Sequence, residues 1–335
     1  MKRRLIKKLL FALYIIVVTL ALLEIVVRIT GYSEHHICDP IYIAFSPEEE
    51  IPYIHKPNLA QARGRGLSII NTDSLGLRSE TAGAQYGPRR ENEYRIAIVG
   101  DSVTFGEGVE KTADTFAQVL EDALNRKQSA VKVKVFNFGA SAYSVKVMTA
   151  TLRHRVLAVE PNLVIMALIP ADFNLSRTPS VDAWGYLTDN KLSGFLSKDS
   201  RLRLVLRKVH LLYFLRDFIY ARSDNGQTAE DIIAAGGVPD SYAYIRDFKE
   251  LAEQHKLAYS IALLPSLQSR FGNVTSQLKR DEITFVDLTN LRDAFSAEQF
   301  RASRFDAHPS ALAHRSIGES LAEYILTNQL MTAQR

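Results

Sequence analysis

From residue 93 onward the chain alternates short apolar runs with stretches of helical spacing. "RIAIVG" (95–100) predicts a strand, and "DTFAQVLEDALN" (114–125) a helix with Asp114 as its cap. "VKVKVFNFG" (131–139) and "VKVMTATLRHRVLAV" (145–159) repeat the strand-then-helix order. "LVIMALI" (163–169) has no polar position, which suits a strand buried on both faces. "SYAYIRDFKELAEQHK" (241–256) predicts a helix, and "LAYSIALLP" (257–265) and "EITFVDL" (282–288) two more strands. "PSALAHRSIGESLAEYILTNQL" (309–330) predicts a last helix with Pro309 in its first turn. Continuous apolar strands separated by helices imply a parallel sheet covered on both sides, a three-layer α/β domain over 93–330.

Two regions fall outside this rhythm. Residues 1–8 form a basic arm, followed at 9–28 by a span whose core, Leu9 to Val27, is an unbroken run of nineteen mostly apolar residues. As a helix such a run is about 28 Å long, close to the hydrocarbon thickness of a bilayer. Glu24 lies in its last turn with Arg28 four residues on, so the two can pair near the interface. A cleaved signal peptide is the competing reading. The length of the run, with no small-x-small site after it and no lipobox before Cys38, favours an uncleaved anchor. Five positive charges before the span place the arm in the cytoplasm and the rest outside. Residues 29–92 read as stalk and lead-in, with "GLSIINTDSLGLR" pairing at a sheet edge.

The second interruption is an insert at 175–240. It holds Trp184 and "RLRLVLRKVHLLYFLRDFIYARS" (201–223), a basic and apolar helix. Its simplest role is to cap the domain. The alternative is an amphipathic element lying on the membrane or lining a lipid- or glycan-facing cleft.

Composition narrows the function classes. The 335 residues, 47% apolar, suffice for one large core. The net charge of +4 becomes −1 without the five N-terminal cations, which leaves no basic stripe for nucleic acid. Cys38 is the sole cysteine, so no internal disulfide forms. Histidines or cysteines at metal-ligand spacing are confined to His35–His36, read as exposed stalk, and no cofactor is implied.

The candidate chemistry lies at the end of the first strand, in "RIAIVGDSVTFGEGV". Ser102 stands where parallel α/β sheets carry their sites, and backbone N–H groups at such a turn favour developing negative charge. A serine there is a helix cap or a nucleophile. A nucleophile needs a base, and the base a partner to orient it. "RFDAHPSALAH" supplies His308 with Asp306 two residues before it, in a loop returning to the same end of the sheet. His314 is the rival, but it falls inside the last helix; the remaining histidines lie in the stalk or in helices.

"VGDSVTFGEGV" together with "DAHPSALAH", preceded by "NTDSLGLRSE", resembles the GDSL/SGNH hydrolases, closest to their exported, membrane-anchored branch. The likeness runs over roughly Asn71 to Leu330 and is loose across the insert. It implies a flavodoxin-like sheet, Ser102 as nucleophile, His308 as base and Asp306 as its partner. It also implies an oxyanion hole from the N–H groups of Ser102 and Ala142 and an asparagine side chain. Three positions depart from the family pattern. Ala142 stands where glycine is usual. Ala171 replaces the asparagine that precedes Asp172, which leaves Asn174 as the substitute donor; losing such a donor costs on the order of 3 kcal/mol. The Asp306-to-His308 spacing is one residue shorter than usual. The resemblance implies a serine esterase or O-acyltransferase acting on small acyl groups of an envelope or exported glycan. A lipase or lysophospholipase and a catalytically weak glycan-binding protein are the alternatives.

Overall fold

Alternation along one strand sets the layering. In the segment Glu93–Val99, Ile96 and Ile98 join one apolar cluster while Ala97 and Val99 join another, as the two-residue period demands. The computed structural model describes residues 2–46, 50–128, 130–188, 200–220, 229–267 and 270–331. In chain order its principal elements are α1 (Lys2–Ile29), β1 (Glu93–Val99), α2 (Ser102–Phe105), α3 (Phe116–Lys127), β2 (Lys132–Asn137), α4 (Val145–His154) and β3 (Leu163–Leu168). There follow α5 (Arg201–Leu206), α6 (His210–Tyr220), α7 (Ala243–Gln254), β4 (Ala258–Leu263), β5 (Phe285–Asp287) and α8 (Ala311–Thr327).

The five strands pair in parallel in the spatial order 2-1-3-4-5, the flavodoxin-like arrangement. All six residues of β3 are buried, each large apolar side chain contributing about 1.5–3 kcal/mol on burial. α3 and α8 cover one face through Phe116, Leu120, Ile317 and Leu321, and α4 and α7 cover the other through Met148, Leu152, Ile245 and Phe248. The predicted three layers are therefore present.

Local expectations are corrected at several points. The cap of α3 is Thr115, whose hydroxyl accepts from the Gln118 N–H, and Asp114 belongs to a preceding 3-10 turn. Pro309 ends a short strand rather than entering α8, which Ser310 caps. The run 201–223 is two helices, α5 and α6, broken at 207–209; its last three residues lie outside the described ones. Ile69–Ile70 pairs with Ala62–Arg63 in a small hairpin, not with the main sheet.

The largest correction concerns the stalk. Ile41, Tyr42, Ile51, Tyr53, Ile54 and Ile70 are fully or nearly fully buried in the larger core cluster. Tyr53 and Tyr143 hydroxyls donate to the carbonyls of Ser141 and Tyr53. His55 is buried and stacked on Phe105 at 4.0 Å. This stretch looks loop-rich because its strands are two or three residues long, too short for a periodicity to register.

Candidate active site

The site begins where β1 ends. Asp101 caps the single turn α2 by accepting from the Val103 N–H at 2.9 Å, and Gly106, at φ +87°, stops it after four residues. That left-handed conformation suits glycine, and the turn leaves Ser102 at the first helical position, with no intrahelical acceptor for its N–H. Arg78, from the lead-in, locks the loop that follows by donating to the carbonyls of Gly106 (2.6 Å) and Val109 (2.7 Å).

The second half arrives from the far end of the chain. Arg301–Ser303 and Asp306–Pro309 pair as a short irregular hairpin before α8. It presents His308 to Ser102: the Nε2 and Oγ atoms are 2.9 Å apart. On the other side of the ring, Nδ1 lies 2.6 Å from Asp306 Oδ1, which also accepts the His308 backbone N–H at 3.0 Å. This double acceptance fixes the tautomer with its hydrogen on Nδ1, which leaves Nε2 free to take the serine proton. Burial by itself would lower the His308 pKa. The hydrogen bond to Asp306 and the charges of Glu107, Asp306 and Asp101 outweigh it and hold the imidazole above its ordinary value. Asp306 is correspondingly held low, its burial outweighed by its bonds from His308.

Glu107 is a component the sequence did not suggest. Its carboxylate is buried and its Oε2 lies 3.6 Å from His308 Nε2. It accepts from the Ser141 hydroxyl, which is 2.6 Å from the Tyr42 hydroxyl. The signal available in sequence was only "FGEG", where a glutamate between glycines reads as a solvated turn.

Arg177 is the other unexpected member. Its guanidinium donates to Asp172 Oδ1 at 3.0 Å and to Asp101 Oδ2 at 3.3 Å, both carboxylates being buried. Burial, with Asp101 alongside, pushes the Asp172 carboxyl well up. Asp172 also accepts the Ile169 N–H at 2.8 Å, so the third-block aspartate is a structural anchor for the turn after β3.

Ser102, Asp306, His308, Ala171, Asn174 and Arg177 line one cavity of about 540 Å³. The structure therefore brings together Ser102, His308, Asp306 and Asn174. The Asn174 Oδ1 is engaged with Ser176, accepting from its N–H at 3.1 Å and its hydroxyl at 2.8 Å. Ala142 is half-buried and does not line the cavity; its backbone sits at φ +57°, in the region that favours glycine. Among the described residues, neither the Ser102 nor the Ala142 N–H donates a hydrogen bond. His314 is a packing residue: it is buried, stacks on Phe116 and accepts the Phe116 N–H at 3.1 Å, and burial lowers it to about 3.

His35 and His36, read as exposed stalk, are half-buried and form with Asp217 the one cluster of possible metal ligands among the described residues. Asp217 is already held by Arg216 at 2.8 Å and the Tyr32 hydroxyl at 2.9 Å, a cationic neighbourhood that opposes a metal ion.

No protein-family model and no curated protein matches the chain. Solved structures do. A protein of the G-D-S-L family from Desulfitobacterium hafniense DCB-2 matches at 17% identity and TM-score 0.41, over 68% of this chain and 98% of that one. A psychrotrophic esterase from Pseudoalteromonas sp. matches at 11% and 0.42, over 70% and 98%. A two-domain esterase active on acetylated mannans matches at 11% and 0.41, over 72% of this chain and 50% of that one. The chain is a three-layer α/β protein with a 2-1-3-4-5 parallel sheet and, at its carboxyl edge, the Ser–His–Asp arrangement that the GDSL/SGNH resemblance implies.

Proposed function

We propose that the chain is a membrane-anchored serine ester hydrolase or O-acyltransferase of the GDSL/SGNH type, working on the outer side of the cytoplasmic membrane. The observation that carries this is the unbroken chain Ser102 Oγ, His308 Nε2, His308 Nδ1, Asp306 Oδ1, with contacts of 2.9 and 2.6 Å. Ser102 attacks the ester carbonyl while His308 takes its proton. Asp306 and Glu107 stabilise the imidazolium that results. His308 then returns the proton to the leaving alcohol, and the acyl-serine passes its acyl group to water or to a second hydroxyl by the reverse steps. The unpaired N–H of Ser102 and the side chain of Asn174, both lining the cavity, are the candidate oxyanion donors, and the unpaired N–H of Ala142, which does not line it, is the third position the resemblance implies.

The substrate reading, small acyl groups such as acetyl on an envelope or exported glycan, follows from the resemblance and from the anchor. α1 is long and apolar enough to cross a bilayer, with mean hydropathy 2.8 over its apolar window. A lipase reading is favoured by one feature, the apolar outer face of α5 and α6.

The test is fluorophosphonate labelling of the full chain in detergent, wild type beside Ser102→Ala, followed by rates on acetyl and octanoyl esters. Labelling that vanishes in the variant supports the nucleophile, and preference for acetyl supports the glycan reading over the lipase. A folded wild type that does not label leaves a binding protein and overturns the enzyme reading.

A further inference from the structure

α6 is inside-out for a helix in water. Its charged residues face the protein: Asp217 accepts from Tyr32 (2.9 Å) and lies 2.8 Å from His36 Nε2, while Arg216 reaches His36 Nδ1 at 3.0 Å. Its large apolar residues face outward, with Leu212, Phe214, Leu215, Phe218 and Ile219 between 38% and 62% exposed. On α5, Leu202 and Val205 are likewise exposed, at 50% and 60%. Two of the cations that blur this pattern in the sequence are held by carboxylates: Arg207 pairs with Asp182 at 3.1 Å and Arg216 with Asp217 at 2.8 Å. A helix that pairs its charges against the protein and shows its leucines and phenylalanines is built for an apolar surrounding.

Its position says which one. Glu24, in the last turns of α1, accepts the backbone N–H groups of His210 (3.0 Å) and Leu211 (2.7 Å), the opening residues of α6. Arg28 pairs with Glu24 at 2.7 Å and donates to the Lys208 carbonyl at 2.8 Å. The end of the apolar helix is thus stitched to the start of α6. Exposed Arg201 and Lys208 flank the patch, as anionic headgroups would require.

We infer that α5 and α6 lie in the interfacial layer of the bilayer that α1 enters, and that they seat the cavity of Ser102 at the membrane surface. The coupling to the cavity is short. Tyr32 packs edge-on against Phe214 at 5.4 Å and against Phe305 and His35 at 5.2 and 5.7 Å, and Phe305 and His35 line the cavity. A substrate ester borne on a membrane-resident molecule would reach Ser102 without leaving the headgroup layer. The inference rests on α1 being retained as a span and not on the hydrolase reading, so it stands or falls apart from catalysis.

The experiment is nitroxide labelling of Leu215→Cys and Ile219→Cys, each in a Cys38→Ala chain, with Glu91→Cys at the opposite end of β1 as the aqueous reference. The full-length proteins are reconstituted in phosphatidylcholine vesicles with a minority of phosphatidylglycerol. Expected is a several-fold loss of accessibility to an aqueous nickel chelate at 215 and 219 relative to 91, with oxygen accessibility raised as in lipid. Chelate accessibility equal to that at 91 overturns the inference, as does low accessibility to both reagents, which would mean that a second protein surface covers α6. If Cys38→Ala disturbs folding, Leu215→Trp in a Trp184→Phe chain reads the same question: quenching by shallow brominated lipids supports the inference and its absence refutes it.

Discussion

Replacing Asp306 by asparagine isolates charge from orientation, because of how the carboxylate is used. Its Oδ1 accepts two bonds from one residue, the ring Nδ1 at 2.6 Å and the backbone N at 3.0 Å of His308. A backbone N–H can only donate. An asparagine must therefore place its oxygen there, and the same oxygen goes on holding the hydrogen at Nδ1. The tautomer with a bare Nε2 towards Ser102 survives, and only the charge is lost. A hydrogen bond to a charged group contributes about 1.5–3 kcal/mol and a neutral one about 0.5–1.5, a difference of about 1–2 kcal/mol. That corresponds to a fall of roughly 5- to 30-fold in kcat/KM. Asp306→Ala removes both bonds and frees the ring, for a loss on the order of 10⁴-fold, as when the triad aspartate is removed. The assay is hydrolysis of a short chromogenic ester by the full chain, with circular dichroism to verify folding. The check on folding is needed because the asparagine Nδ2 would take the place of Oδ2, which packs close to Gly66 and Gly108. If a folded Asp306→Asn protein is as inactive as Asp306→Ala, the shared-oxygen argument is refuted.

Other expectations follow from the same geometry. Catalysis needs neutral His308, whose pKa is raised, so activity should rise with pH along a limb lying above the ordinary histidine value of about 6.5. Glu107→Gln removes one of the raising charges and should move that limb to lower pH; a profile that does not shift would show that Glu107 is merely structural. Arg177→Met strands the buried Asp101 and Asp172 and should cost about 3–5 kcal/mol in denaturant unfolding at neutral pH. Because the Asp172 pKa is raised in the folded state, its carboxyl is neutral, and the deficit smaller, as the pH is lowered; a deficit independent of pH would contradict this. Ala142→Gly relieves the φ of +57° and should stabilise the fold by about 0.5–1 kcal/mol, read from unfolding midpoints.

The long elements were legible because burial on both faces leaves a pattern that needs no partner to be read: β3 is apolar throughout, and α3 and α8 keep helical spacing. Ser102 was legible because it stands at a strand-to-helix junction, and Asp306 and His308 because an aspartate two residues ahead of a histidine just before the last helix is a local pattern. Glu107 and Arg177 were not, since their meaning lies in what they meet: His308 is about two hundred positions away from Glu107, and the two aspartates held by Arg177 come from different strand ends. Residues 41–78 were misread for a related reason. Their strands are two or three residues long and owe their burial to Tyr143, Ser141 and Phe105, none of which is a neighbour in sequence. The apolar outer face of α6 was hidden by arginines that the fold pairs with aspartates.

Arg78 has a consequence for how the protein can be cut. Its guanidinium fills the hollow of the loop after Ser102, satisfying carbonyls that are otherwise sealed from water. Tyr42 and Ser141 do the same for the Glu107 carboxylate. A chain shortened to begin at β1 keeps every strand of the main sheet and the Ser102, His308 and Asp306 side chains, yet it loses the plug that shapes the loop after Ser102. The smallest autonomous unit therefore starts ahead of Ile41, and the segment before the sheet is part of the fold around Ser102 rather than a tether.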